Sequence, residues 1–165
     1  MNESSAGRLS SQAQFGRQAR FYTISPGHSS GESLQVLQEW AARDRYRLAA
    51  DVATGAGFTA FAVSPYADHV LATDLTPAML QEARQGASKR GLANLGYALA
   101  AAEDLPFASG SLDLLTCRIA AHHFHDMARA VAEWRRALKP GGVLLFVDTI
   151  GPEDEPTRLW MNDVE

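Results

Sequence analysis

Residues 51–57 read Asp51-Val52-Ala53-Thr54-Gly55-Ala56-Gly57, and this stretch decides the fold. A short apolar run (Tyr46, Leu48, Ala49, Ala50, Val52) precedes it and a second, Phe58 to Val63, follows. That is the pattern of a buried strand turning through glycines into a helix. Gly55 and Gly57 permit backbone angles that other residues resist, and they let a ligand approach the main chain closely. Farther on, a second apolar strand ends in Asp74. An acid at about that offset is placed to accept hydrogen bonds from a ribose. These features alone indicate a nucleotide-like ligand.

Outward from this turn the chain alternates between two periods. On the N-terminal side, Leu34, Leu37, Trp40 and Ala41 form one helical stripe within 32–44, with Ser29 or Ser30 as its cap. Strand one spans 47–52, and the helix over 58–63 closes at Ser64-Pro65, because proline cannot continue it. Strand two spans 69–73. Thr76-Pro77 reads as a helix start, with Thr76 at the cap and Pro77 in the first turn. This helix carries Met79, Leu80 and Ala83 and stops at Gly91. Strand three lies near 95–99, followed by the acidic turn Glu103-Asp104-Leu105-Pro106-Phe107, and strand four spans 112–119. A helix over 126–138 has the stripe Met127, Ala130, Val131, Trp134, Ala137 and Leu138. Lys139-Pro140-Gly141-Gly142 ends it, and 143–147 is strand five. Strands separated by helices indicate a parallel sheet covered on both faces.

One domain is expected for 165 residues, and the 46% apolar and 21% charged fractions are those of an ordinary globular protein. A net charge of −4 argues against nucleic acid as a partner. No apolar run approaches the roughly 20 residues needed to span a bilayer. The single cysteine, Cys117, excludes an internal disulfide and fits a reducing, cytoplasmic compartment. Residues 1–11 read as a disordered tail and 12–31, with Phe15, Ala19 and Tyr22 at helical spacing, as a short lid. The core is 32–150, and 151–165 is an acidic, proline-containing end segment.

The glycine turn fits more than one ligand. Gly55-Ala56-Gly57-Phe58-Thr59-Ala60 satisfies the dinucleotide pattern in its alanine-ended form. Asp51, however, stands before the glycines, where a nicotinamide-binding turn needs no acid. An acid there suits a ligand carrying an ammonium and a sulfonium. The Tyr-x-x-x-Lys pair common in small dehydrogenases is absent.

Four stretches come in one order: Asp51 to Gly57, Leu71 to Leu80, Ala102 to Phe107 and Leu138 to Gly142. Together they resemble a class I S-adenosylmethionine-dependent methyltransferase of the ubiquinone/menaquinone-biosynthesis type, over about residues 14–165. The resemblance implies an α/β, Rossmann-like, three-layer doubly wound sheet of order 3-2-1-4-5. It also implies S-adenosylmethionine as methyl donor and no metal. Asp51 would face the methionine ammonium, and the backbone of Thr54, Gly55, Ala56 and Gly57 would line the methionine and ribose. Asp74 would take both ribose hydroxyls, a charge-assisted pair. Leu75 and Met79 would flank the adenine, Ala101, Ala102 and Glu103 would meet its edge, and Arg118 would lie near the methionyl group. Relatives often carry an acid at the position of Ala101, so adenine recognition here must rest on the Ala102 backbone, Glu103 or Asp104.

Methyl transfer is an in-line displacement that needs positioning and exclusion of water. A general base is needed where the attacking atom carries a proton. His122 and His123 are the candidates: they follow strand four, at the carboxyl edge where open α/β sheets bind ligands. With His125 they also fit a polar loop before the Asp126 helix. A metal site is not expected, since the cluster lacks acid or thiol partners at helical spacing apart from Asp126.

Family members typically continue with two more strands, which are missing here, so a truncated chain with strand five at an exposed edge is expected. A homodimer covering that edge would follow. The acceptor is expected to be a small molecule, quinol-like or other. Two alternatives stay open: an NAD-dependent oxidoreductase, and a non-catalytic S-adenosylmethionine-binding module.

Overall fold

The computed structural model describes residues 30–149; the expected lid around Phe15 and Tyr22 and the segment 151–165 lie outside the described residues. The elements in chain order are α1 (Glu32–Ala41), β1 (Tyr46–Val52), α2 (Phe58–Val63), a 3-10 turn (Ser64–Tyr66), β2 (Ala67–Asp74) and α3 (Pro77–Lys89). Then come β3 (Leu95–Leu99), β4 (Leu112–Arg118), a second 3-10 turn (Ala121–His123), α4 (Met127–Ala137) and β5 (Leu138–Val147). The strands form one sheet of order β3-β2-β1-β4-β5, parallel throughout, as expected. Between β1 and β4 the order reverses direction. That is where such sheets open a crevice beyond their carboxyl ends.

Period-2 alternation divides the core between the two faces. Ala49 and Leu114 join Leu37, Ala41, Ala60 and Val63 under α1 and α2. Their neighbours Ala50 and Leu115 join Ala130, Trp134 and Ala137 under α4, together with Ala102 and Leu105 of the acidic turn. The central strands are therefore buried on both sides, which explains their near-continuous apolar sequence.

Local signals account for the element ends. At the end of α3, Gly91 has φ +67; its amide donates to the Ser88 carbonyl and the Leu92 amide to the Ala87 carbonyl, a Schellman pair closing the helix. At the start of α4 the Asp126 carboxylate accepts the Arg129 amide at 2.9 Å.

Several expectations differ from the structure. Gly31, not a serine, is the cap of α1. Thr76 precedes α3, but its side chain makes no capping bond; its amide donates to Asp74 Oδ1 at 2.8 Å instead. Trp40 and Val131, placed in the expected stripes, are half exposed. Each lies on the flank of its helix, away from the lines through Leu37 and Ala41 and through Ala130, Trp134 and Ala137. The Arg43 guanidinium covers the Trp40 ring at 3.7 Å. Finally, β5 begins before the glycines. Leu138 pairs with Leu112, the register breaks, and pairing resumes with Val143 opposite Leu114. Lys139-Pro140-Gly141-Gly142 is thus a bulge inside one strand. Lys139 there pairs with Asp113 of β4.

Candidate active site

The carboxyl edge carries an acid at the end of β1, another at the end of β2, and a third just past β5: Asp51, Asp74 and Asp148. Register places Thr116 of β4 directly beside Asp51, and Ala72 of β2 on its other side. Asp51 is fully buried. Its Oδ1 accepts the Thr116 hydroxyl at 2.7 Å, and its Oδ2 accepts the Thr54 hydroxyl at 2.6 Å and the Ala60 amide at 3.1 Å. Burial pushes its pKa up to about 6, against the pull of Thr54, Thr116, the Arg118 charge and the Ala60 amide. The carboxylate so ties the glycine turn to the first turn of α2 and to β4. Meeting a methionine ammonium would draw on the lone pair left at Oδ1.

The two glycines do different work. Gly55 has φ +54, and a Cβ there would meet nothing within 4 Å, so open space lies against its backbone. Gly57 has φ +91, and a Cβ there would lie 2.6 Å from Phe61 Cζ and 3.0 Å from Ala83 Cβ. Gly57 serves packing; Gly55 is where a ligand has room. Ala53 and Ile119, the residues following β1 and β4, both have positive φ, at 53° and 50°. For β-branched Ile119 this is a strained conformation. The strain therefore sits side by side at the reversal point.

Asp74 closes the other side of the turn. Its Oδ2 accepts the Gly55 amide at 2.8 Å, while Oδ1 takes the Thr76 amide. Burial raises its pKa, opposed by the Thr76 and Gly55 amides, the Thr76 hydroxyl and the Leu75 amide. A carboxylate offers about four lone-pair sites, which these four donors already match, so a ribose hydroxyl would share or displace one of them. The Ala100 amide donates to the Asp74 carbonyl at 3.0 Å, which sets the acidic turn beside it. Within that turn Ala101, Ala102 and Glu103 are buried, and Glu103 Oε1 accepts the Asp126 amide at 3.4 Å. Glu133 of α4 holds the turn from below, accepting the Leu105 amide at 2.9 Å. Leu75 is half buried, and Met79 is buried in the first turn of α3. Arg118 is buried under the edge: Nε donates to the Thr59 hydroxyl at 3.1 Å and Nη1 to the Ser33 hydroxyl at 3.0 Å. Burial lowers its pKa, and the Asp51 charge opposes this.

Hydrogen bonds thus join Asp51 to Thr54 and Gly55 to Asp74, with Ala56 and Gly57 in the same turn and the Arg118 charge facing Asp51. His122 stands apart from that set, bound to the third acid. Its Nδ1 lies 2.7 Å from Asp148 Oδ1, and Asp148 Oδ2 accepts the Ala121 amide at 2.7 Å and the His122 amide at 3.3 Å. The His123 ring lies against His122, centroids 3.9 Å apart. Asp148 was not singled out from sequence, although it shares the strand-end position of the other two acids; that shared position was the available signal. Thr116, Thr59 and Ser33 carried no signal, since their partners lie on other elements. Among the described residues no group of three or more metal-ligating side chains occurs.

Residues 50–146 match the model of the methyltransferase domain family. The chain belongs to that family. The methyltransferase domain here is similar to the uncharacterized methyltransferase YcgJ of Bacillus subtilis (strain 168), 36% identical over 154 residues, covering 93% of this chain and 61% of the relative. The crystal structure of YcgJ superposes with a TM-score of 0.73 at 38% identity, over 80% of this chain and 56% of that one. A methyltransferase homologue from Bacillus halodurans C-125 gives a TM-score of 0.72 at 39% identity, over 79% and 57% of the two chains. The ubiquinone/menaquinone biosynthesis C-methyltransferase UbiE of Brucella anthropi is 38% identical over 102 residues, 59% of this chain and 39% of the relative. The chain therefore spans about three fifths or less of the length of these relatives. Among the described residues, no helix is long and apolar enough to cross a membrane.

Proposed function

We propose that the domain binds S-adenosylmethionine at the turn between β1 and α2 and transfers its methyl group to a small-molecule acceptor. The observation that carries this reading is the pairing of an open backbone at Gly55 with the Asp74 carboxylate bonded to that same amide. The backbone at Gly55 is open to close approach, and the Asp74 carboxylate beside it is the acceptor proposed for the ribose hydroxyls. When bound, the donor supplies an electrophilic methyl on sulfonium, whose carbon–sulfur bond breaks with its electron pair left on sulfur.

The chain's own residues do the rest. Asp74 orients the ribose through charge-assisted hydrogen bonds. Asp51, held by two hydroxyls and an amide, fixes the turn and presents negative potential toward an ammonium. Leu75 and the Ala101–Ala102 backbone offer apolar surface and polar edges to the adenine, and Glu103 buttresses them from the α4 side. Arg118 supplies positive charge beneath the turn, suited to a carboxylate. The resemblance of residues Leu71 to Leu80 and Ala102 to Phe107 to the quinone-pathway enzymes, and the UbiE similarity, support a quinol-like acceptor. His122 and His123 stand at the acceptor side as candidate bases.

The test is transfer of labelled methyl from S-adenosylmethionine to a panel of a naphthoquinol, a catechol and a primary amine. The expected result is a labelled product together with S-adenosylhomocysteine. Binding of S-adenosylhomocysteine without transfer to any of them would favour a non-catalytic binding module, and binding of NAD alone an oxidoreductase.

A further inference from the structure

The geometry points to Asp148 as the positioning residue of a His122–Asp148 pair, in which His122 Nε2 takes the proton from a hydroxyl-bearing acceptor. This rests on the methyl-transfer reading above and deepens it, because it names the acceptor class.

Asp148 is held by five donors from three directions, among them the Thr149 hydroxyl, which reaches Oδ1 at 3.4 Å. Oδ1 accepts the Thr149 amide at 2.7 Å and faces His122 Nδ1; Oδ2 accepts the amides of Ala121 and His122. Burial pushes its carboxyl up, yet the Thr149 amide, the His122 ring and charge, and the Ala121 amide together hold it below the ordinary carboxylate range. An ionised carboxylate only accepts, so the neutral ring must donate Nδ1–H to it. The lone pair is then on Nε2, at the far edge of a side chain that keeps 29% of its surface exposed, against 13% for Asp148. Two amides from the very turn that carries His122 end on Asp148 Oδ2, so ring and backbone are fixed against the same group. Around the ring stand Asp148, just past β5, and His123 from its own turn, while Arg118 ends the strand that leads into the turn. Cys117 of β4 is buried, with its thiol raised by burial and by the Asp51 and Asp148 charges, and does not compete for the proton.

The proton step balances simply. The acceptor O–H bond breaks, its electron pair stays on oxygen, and the proton goes to Nε2. The imidazolium next to Asp148 then releases it to solvent. The nucleophile is the oxygen itself, or a ring carbon made electron-rich by the phenolate; in the second case the C–H bond at that carbon then breaks, its electron pair returning to the ring and its proton going to solvent. An acceptor without an ionisable proton, such as a thioether, gains nothing from this pair.

The direct test is nitrogen-15 NMR of labelled histidine in the full chain. The expected signature is His122 as the Nδ1–H tautomer in the wild type, with conversion toward Nε2–H in Asp148→Asn, whose amide can donate to Nδ1. An Nε2–H wild type, or a tautomer indifferent to Asp148→Asn, would overturn the proposal. S-adenosylhomocysteine affinity, measured on the same samples, should be unchanged in Asp148→Asn; a loss there would mean a structural role and also overturn it. With a phenol that the wild type methylates, His122→Gln and Asp148→Asn should each lower kcat by about 100-fold with little change in the KM for the donor. If no S-adenosylhomocysteine binds to the wild type at all, the methyl-transfer reading fails, and the tautomer result stands separately.

Discussion

The β1/β2 half of the carboxyl edge and the β4/β5 half use the same residue to opposite effect. Asp51 and Asp74 are desolvated acids whose pKa values are raised, to about 6 for Asp51. Asp148, less deeply buried and faced by a histidine, is held low. A strand-end aspartate is thus not a fixed charge; burial weighed against donors decides it. The first half is built as a rigid cradle around backbone, with Gly55, Gly57 and Ala53 in left-handed conformations. The second pairs a partly exposed histidine with a more buried aspartate, the pair proposed above to move a proton.

The largest effect that would sharpen this contrast lies in the cradle glycines. Gly57→Ala places a Cβ against the Phe61 ring at φ +91, and should destabilise by about 3 kcal/mol or more in denaturant unfolding. Gly55→Ala, with open space around it, should cost only about 1 kcal/mol while weakening donor binding. Equal stability losses would erase the division of labour between the two.

The next effect reads the charges. The folded pKa of Asp51 is above its ordinary value, so the native state holds the proton more tightly than the unfolded chain. Its contribution to stability is then greatest at low pH, falls as pH rises from about 4 to about 6, and stays low above that. The swing is on the order of 2–3 kcal/mol. Asp51→Asn should flatten that segment of the stability curve. Asp148→Asn should do the reverse, removing stability that is present above the ordinary carboxylate range and lost only as pH falls through its lowered folded value. Unfolding titrations of both variants across pH 3 to 7 check the pair; a like response in both would break the comparison.

Much of the cradle was legible in the sequence because its signals are local. The glycine turn, Asp74 before Thr76-Pro77, and Gly91 as a helix stop all act within a few residues; the alternation of strands and helices gives the parallel sheet, while its 3-2-1-4-5 order came from the family resemblance and is the order the sheet has. What was not legible depends on register and tertiary contact. Nothing near Asp51 shows that its carboxylate turns inward to Thr116, which lies beside it only because β1 and β4 are neighbours. Glu103 reaches the start of α4 rather than staying within its own turn. Lys139 to Gly142 looks like a stop between elements, yet Leu138 already pairs with Leu112, so the glycines bulge within β5. The His122–Asp148 pair joins two strand ends that the sequence separates by a whole helix.

The central claim is that the Gly55–Asp74 cradle binds an adenosyl sulfonium donor, and titration calorimetry with S-adenosylhomocysteine tests it most directly. The account predicts one site per chain in the wild type and at least ~10-fold weaker binding in Asp74→Ala. No binding by the wild type, or equal affinity in Asp74→Ala, would contradict it.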